Sequence, residues 1–325
     1  MTEMTMVEAL NGALRHCLEK DPRTLVFGED VGRLGGVFRV TDGLQRDFGE
    51  ERVFDTPLAE SGIVGIAIGL ALAGWRPVPE IQFDGFSFPA LDQIMTNLAK
   101  MRGRSRGAYS MPVTLRLPSY GGIGGPEHHS ESPEAVYAHT AGLKVVTPSG
   151  PNEAFNLLVR SIRDPDPVLF MEPKSRYWAK EQVALEPIAS WPIGKARVVR
   201  EGGHATLVAW GPMVHRCLQV AAAAAEDGVE LEVLDLRSLV PLDVETLVAS
   251  TVKTGRAVVV HEAPLTAGFG AEISARLMEN AFDDLQAPVQ RVTGWDIPYP
   301  TATQENDYIP SLDRILLAVQ KVLDY

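Results

Sequence analysis

One carboxylate, Glu60, opens a stretch otherwise made of small and apolar residues, Glu60-Ser61-Gly62-Ile63-Val64-Gly65-Ile66-Ala67-Ile68-Gly69. Two readings are open. A glutamate in a helix's first turn is favoured by the macrodipole. A buried carboxyl with a raised pKa can instead share a proton with a bound heterocycle. A second candidate is the pair His128-His129, which follows the glycine run Gly121-Gly122-Ile123-Gly124-Gly125. Histidine titrates near neutrality and suits proton transfer. Adjacent side chains are expected to point apart, so one of the two would do the work. An exposed loop pair is the bland alternative, and no HExxH or ligand spacing supports zinc. A third is Glu80-Ile81-Gln82-Phe83-Asp84-Gly85-Phe86-Ser87-Phe88, an apolar run ending in aromatics. Such residues pack cores, or line a ligand site where strands of an open α/β sheet end. A fourth is Gly28-Glu29-Asp30, either a capping turn or an acidic site edge.

The elements that must carry these residues alternate. Thr5 and Glu8 form a capping box for a helix to about Glu19, ended by Asp21-Pro22. Strands are expected at Thr24 to Phe27, Pro77 to Phe83, Val113 to Leu117, Lys144 to Thr147 and Val168 to Met171. Helices are expected at Ser61 to Ala73, Leu91 to Met101 and Asn152 to Arg163. The alternation predicts a mostly parallel sheet covered on both faces. Glu172 to Gly194 carries three prolines and reads as a linker, placing a boundary near residue 190. A second α/β series follows, with strands at Ala205, Leu231, Ala257 and Val289 and helices at Met213, Val244, Ala271 and Leu312.

Composition narrows the class. The 325 residues are 45% hydrophobic and 22% charged, which suits two globular domains. A net charge of -12 argues against nucleic acid and anionic membranes as partners. From Glu201 onward 18 acidic residues stand against 8 basic ones, so the acidity belongs to the second part. It is either a solvated surface or a docking face for something basic. Cys17 and Cys217 form no CxxC, the N-terminus shows no export signal, and a cytoplasmic location is expected.

Glu60 followed by Gly65-Ile66-Ala67-Ile68-Gly69 resembles the pyrimidine-site signature of thiamine diphosphate enzymes, with Leu72 where that pattern has Gln. Together with Phe54-Asp55-Thr56-Pro57, the His-Ser loop and Gly294-Trp295-Asp296-Ile297-Pro298-Tyr299-Pro300, the chain is similar over nearly its whole length to the β subunits of 2-oxo acid dehydrogenases. The stretches Glu80 to Phe88 and Glu127 to Pro133 look most like branched-chain members. Glu131 replaces a common Gln, and Phe86 a common Tyr.

The resemblance implies a transketolase-like pyrimidine-binding domain over residues 1–190, with its linker from about 173, and a transketolase C-terminal-like domain over 191–325. It implies Glu60 and His129 as catalytic residues. Cofactor contacts are implied at Glu29, Leu58, Ala59, Glu60, Gln82 and Phe86, and substrate contacts at Phe83, Asp84, Gly85, Phe86 and His129. A potassium ion is implied at Val113, Thr114 and Asp164. The family's magnesium–diphosphate motif, Gly-Asp-Gly followed by Asn-Asn, is absent from this sequence. Magnesium is therefore expected on an α subunit, in an α2β2 heterotetramer that acylates the lipoyl group of an acyltransferase core. Branched-chain 2-oxo acids are the expected substrates, with pyruvate or acetoin as the alternative. A cofactor-free scaffolding subunit is the competing class, and the intact Glu60, Phe86 and His129 argue against it.

Overall fold

The computed structural model describes residues 1–325. Thr5 caps helix Met6–Lys20 with the expected reciprocal box, and Asp21 ends it. The N-terminal region builds β1 (Thr2–Thr5), β2 (Thr24–Gly28), β3 (Val53–Asp55), β4 (Arg76–Glu80), β5 (Thr114–Ser119), β6 (Lys144–Val146), β7 (Val168–Pro173) and β8 (Lys180–Val183). The C-terminal region builds β9 (Arg197–Arg200), β10 (Ala205–Ala209), β11 (Leu231–Asp235), β12 (Ser238–Val240), β13 (Ala257–Pro264) and β14 (Gln290–Gly294). The first large sheet runs β12-β6-β7-β5-β4-β2-β3 and the second β14-β13-β10-β11-β9. Within the first, β2 through β7 pair in parallel, and β2, β5 and β7 are buried throughout, as their near-continuous apolar runs require.

Four departures from the expected elements stand out. The strand expected to Phe83 stops at Glu80, and residues 84–90 form a 3₁₀ turn that bends the aromatics over the sheet edge. The helix expected from Leu91 is irregular, with wide turns over Gln93–Leu98 and an α-helical turn at Met101–Arg104. The linker contains β8, which pairs antiparallel with β1. Finally, β12 comes from the C-terminal half of the chain but pairs antiparallel with β6, so the second half supplies an edge strand to the first sheet.

Arg116, on central β5, fixes the neighbouring strands from within. Its guanidinium binds Glu172 on β7 at 2.6 and 2.9 Å and Glu80 on β4 at 2.5 Å, all three fully or nearly fully buried. A buried charge is retained only when paired and hydrogen-bonded, and this one spans three strands just before the edge where the candidate residues begin.

Candidate active site

Because β2, β4 and β5 are parallel neighbours, the segments leaving them meet at one edge. Glu29 follows β2, Gln82 follows β4, and the glycine run follows β5. Gln82 Nε2 donates to the Glu29 carbonyl at 3.3 Å and to the Asp30 carboxylate at 3.1 Å. Glu29 is buried, and its Oε1 has no partner within the chain. Burial holds its carboxyl above the usual range, and the charge of Glu60 adds to the effect. Two carboxyl groups therefore share one region, one of them with an open hydrogen-bonding oxygen. A nitrogen heterocycle offers the donors such a pair needs.

Glu60 opens helix Glu60–Leu72 as expected. It is not enclosed by its own chain, however. Glu60 is half-buried, Ala59 is exposed and Leu58 is 80% exposed. The helix is apolar all round, yet Gly62, Ile66, Gly69 and Leu72 lie on an uncovered face. A β-carbon at Gly65 or Gly69 would meet nothing within 4 Å.

Beside the carboxyls lies an aromatic cluster. Phe83 and Phe86 stand edge-to-face with His129, ring centroids 4.1 and 5.1 Å away. Gly85 permits this contact, since a β-carbon there would lie 2.5 Å from the His128 carbonyl. The histidines do not point apart. Their rings are 4.3 Å apart, and His128 also reaches Phe86, at 5.9 Å. Both lie in a 3₁₀ turn, Glu127–His129. They differ in burial: His128 is exposed and His129 half-buried with Nδ1 unpartnered. Burial lowers the His129 pKa below the ordinary histidine value, helped by His128 and Lys174, which favours the neutral ring.

Asp84 takes a different place from the one expected. It is fully buried beneath the cluster and has no surface to offer a substrate. Its Oδ1 accepts the N–H groups of Gly85 and Glu131 at 2.9 Å, and its Oδ2 pairs with the buried ammonium of Lys174. Asp84 therefore ties the histidine turn to the aromatic turn. Lys174, just past β7, was missed in the sequence; its only signal is a lysine following Glu172-Pro173 at a strand's end. Val113, Thr114 and Asp164 lie together at the opposite edge of the sheet, where Met111 N–H binds the Pro165 carbonyl and Val168 N–H the Val113 carbonyl. The Asp164 carboxylate already holds the Lys144 ammonium, at 2.7 and 2.8 Å.

Comparison with known proteins fits this geometry. Residues 2–179 match the transketolase pyrimidine-binding domain and residues 194–315 the transketolase C-terminal domain. The chain is 55% identical over 324 residues to the pyruvate dehydrogenase E1 component subunit beta of Leifsonia xyli, covering 99% of this chain and 95% of that one. The chain belongs to the β subunits of 2-oxo acid dehydrogenases. It is also 53% identical to the 3-methyl-2-oxobutanoate dehydrogenase subunit beta of Mycobacterium tuberculosis, covering 98% and 92% of the two chains. With the 2-oxoisovalerate dehydrogenase subunit beta of Pseudomonas aeruginosa it shares 46% identity, covering 100% and 96%. A solved structure described as a split-gene transketolase, an inactive β4 tetramer, shares the fold with a TM-score of 0.82 at 23% identity, covering 99% and 98%. For a 2-oxo acid dehydrogenase β chain, the edge holding Glu29, Glu60, Gln82, Phe86 and His129 belongs to the pyrimidine-binding domain, and the chain is an oxidoreductase subunit.

Proposed function

We propose that this chain is the β subunit of a branched-chain 2-oxo acid dehydrogenase, acting on 3-methyl-2-oxobutanoate in an α2β2 heterotetramer in the cytoplasm, with its domain boundary near residue 190. The observation that carries the reading is the half-built site. A carboxyl pair and an aromatic–histidine cluster meet at one sheet edge beside a helix face that nothing in this chain covers. The pyrimidine end of thiamine diphosphate fits that edge, because Glu29 Oε1 is buried without a partner and Glu60 stands next to it. The magnesium and diphosphate belong to the α subunit. When bound, thiamine diphosphate supplies the carbon nucleophile and electron sink for loss of carbon dioxide.

This chain's residues do the rest. Glu60 would hold a pyrimidine nitrogen through its carboxyl, the contact by which a carboxyl can set that ring's protonation state. Gln82 and Glu29 would line the ring's edge, Leu58 and Ala59 its entrance, and Phe86 would offer a face for stacking. Phe83 and Gly85 shape the substrate side, with Asp84 supporting them from below. His129, neutral and half-buried, orients the substrate's carboxylate and then the dithiolane of the lipoyl group during acyl transfer to the acyltransferase core. The acidic second domain docks a basic domain of that core. Potassium at Val113, Thr114 and Asp164 would rest on carbonyl oxygens, the Asp164 carboxylate being paired with Lys144.

Pyruvate is the second reading, favoured by the name of the 55%-identical relative. Side-by-side kcat/KM values on the assembled complex decide it. The branched-chain acid should lead pyruvate by about tenfold or more, the worth of a filled methyl pocket. A lead for pyruvate of that size makes this a pyruvate dehydrogenase subunit instead.

A further inference from the structure

The glycine run Gly121–Gly125 looks in sequence like a cradle for an anion. The structure fills it from within the chain. Glu305, from the second domain, is 8% exposed and places its carboxylate among the loop's amides. The Gly122 N–H donates to Oε1 at 2.8 Å and the Gly124 N–H to Oε2 at 3.1 Å. Both glycines have positive φ, 84° and 69°, the conformation that turns nearby N–H groups toward one anion. Tyr299, in the Trp295–Pro300 segment, donates its hydroxyl to the same Oε1 at 2.6 Å. A second buried carboxylate, Glu262 on β13, accepts the Gly121 N–H at 2.9 Å. Gly121 must be glycine here, because a β-carbon would overlap the Tyr299 hydroxyl.

The same loop carries His129. Its base is closed by the Tyr120 N–H on the Glu131 carbonyl at 3.0 Å and by Asp84 on the Glu131 N–H. Between these ends, the contacts of Glu305, Tyr299 and Glu262 all reach across from the second domain. We propose that Glu305 is a positioning residue for His129, holding the glycine loop in the shape that presents the imidazole to the substrate. The inference rests on the reading of His129 as the histidine that meets substrate. Glu305 touches no reacting atom; it acts through two charge-assisted hydrogen bonds to backbone amides, which are stronger and more directional than neutral ones.

The test uses complexes assembled with the α partner: wild type, Glu305→Ala, Glu305→Gln and Tyr299→Phe. Amide hydrogen exchange is followed across the chain, and kcat and KM are measured for the 2-oxo acid and for the lipoyl domain. Glu305→Ala should speed exchange over residues 121–131 by about tenfold or more while β13, β14 and helix Leu312–Leu323 keep wild-type rates, as expected when one loop opens locally. Its kcat should fall more than its KM rises, since a histidine out of position costs the step rather than binding. Glu305→Gln keeps a carboxamide oxygen and should recover part of both. Tyr299→Phe removes one donor and leaves both amide contacts, so it should give a smaller rise confined to the same loop; this variant keeps the proposal testable where Glu305→Ala fails to assemble. Unchanged loop exchange in Glu305→Ala overturns the proposal. So does a rise spread across the second domain without recovery in Glu305→Gln, which marks Glu305 as a general domain brace. Exchange is read without substrate. A failure of the branched-chain or dehydrogenase reading therefore leaves the loop result standing, and the reverse holds as well.

Discussion

Glu60 and His129 set different demands on their surroundings, and each yields a prediction. Glu60 faces an uncovered helix side and shares its region with Glu29, whose raised carboxyl pKa comes first from burial and then from Glu60 itself. If Glu60 drives the pyrimidine tautomer, Glu60→Ala in the assembled complex should slow deuterium exchange at the cofactor's reactive carbon by at least about a hundredfold, the usual worth of a positioned proton-transfer group. Glu60→Gln should retain part of the rate. Wild-type exchange in the alanine variant removes Glu60 from the mechanism. For His129, whose pKa burial lowers, the expected function is orientation during acyl transfer. His129→Ala should lose much more of lipoyl acylation than of decarboxylation measured with an artificial electron acceptor. Its neighbour is the stringent control, because the two rings lie 4.3 Å apart on the same aromatic cluster. His128→Ala should cost less, since that ring is mostly exposed; a larger loss there transfers the role to His128. Residue types were legible in the sequence and their directions were not. Asp84 reads as a site residue in Phe83-Asp84-Gly85-Phe86, but its carboxylate points inward to Lys174, ninety positions along the chain. No local pattern reveals such a partner.

Elements with strong local signals were read nearly to the residue. The Thr5 capping box, helix Pro151–Arg163 and the buried runs of β2, β5 and β7 all carry their own instructions. What escaped depends on partners distant in sequence. β8 exists because β1 lies beside it, and β12 because β6 does. Packing between elements also hides an unusual titration. Glu134, on the short helix Glu134–Ala138, is fully buried against Trp210 at the end of β10, whose indole N–H donates to it at 3.3 Å. Burial pushes its carboxyl up to about 8, with Glu262 nearby adding to the effect. Glu262 itself is pushed up to about 7 by burial, with Arg216 and Lys174 opposing and Glu305 adding to the rise. The folded state therefore binds these protons more tightly than the unfolded chain, whose glutamates titrate near 4.3. Their contribution to stability is complete below that value and is lost as pH rises through about 7 and 8. Thermal melts should drop by roughly several degrees from pH 6.5 to pH 9, and Glu134→Gln should flatten that slope. An equal slope in the variant shows that Glu134 does not hold its proton in the folded state.

At the scale of the whole molecule, the proposed site is one that this chain would not complete alone. The helix Glu60–Leu72 shows its glycines and Ile66 to the outside, Leu58 stands 80% exposed beside Glu60, and the sequence lacks both Gly-Asp-Gly and Asn-Asn. This open small-residue face adjoins the edge proposed above for the cofactor. The C-terminal domain, acidic in composition, reaches back to the glycine loop through Glu262 and Glu305. The central claim, that this half is inert until an α subunit supplies the other, is tested most directly by one comparison. The chain purified alone and the chain co-expressed with its α partner are assayed for thiamine diphosphate binding and for turnover of 3-methyl-2-oxobutanoate. The account predicts weak binding and no turnover from the isolated chain, and both activities from a complex with two copies of each subunit. Robust decarboxylation by the isolated chain would contradict it.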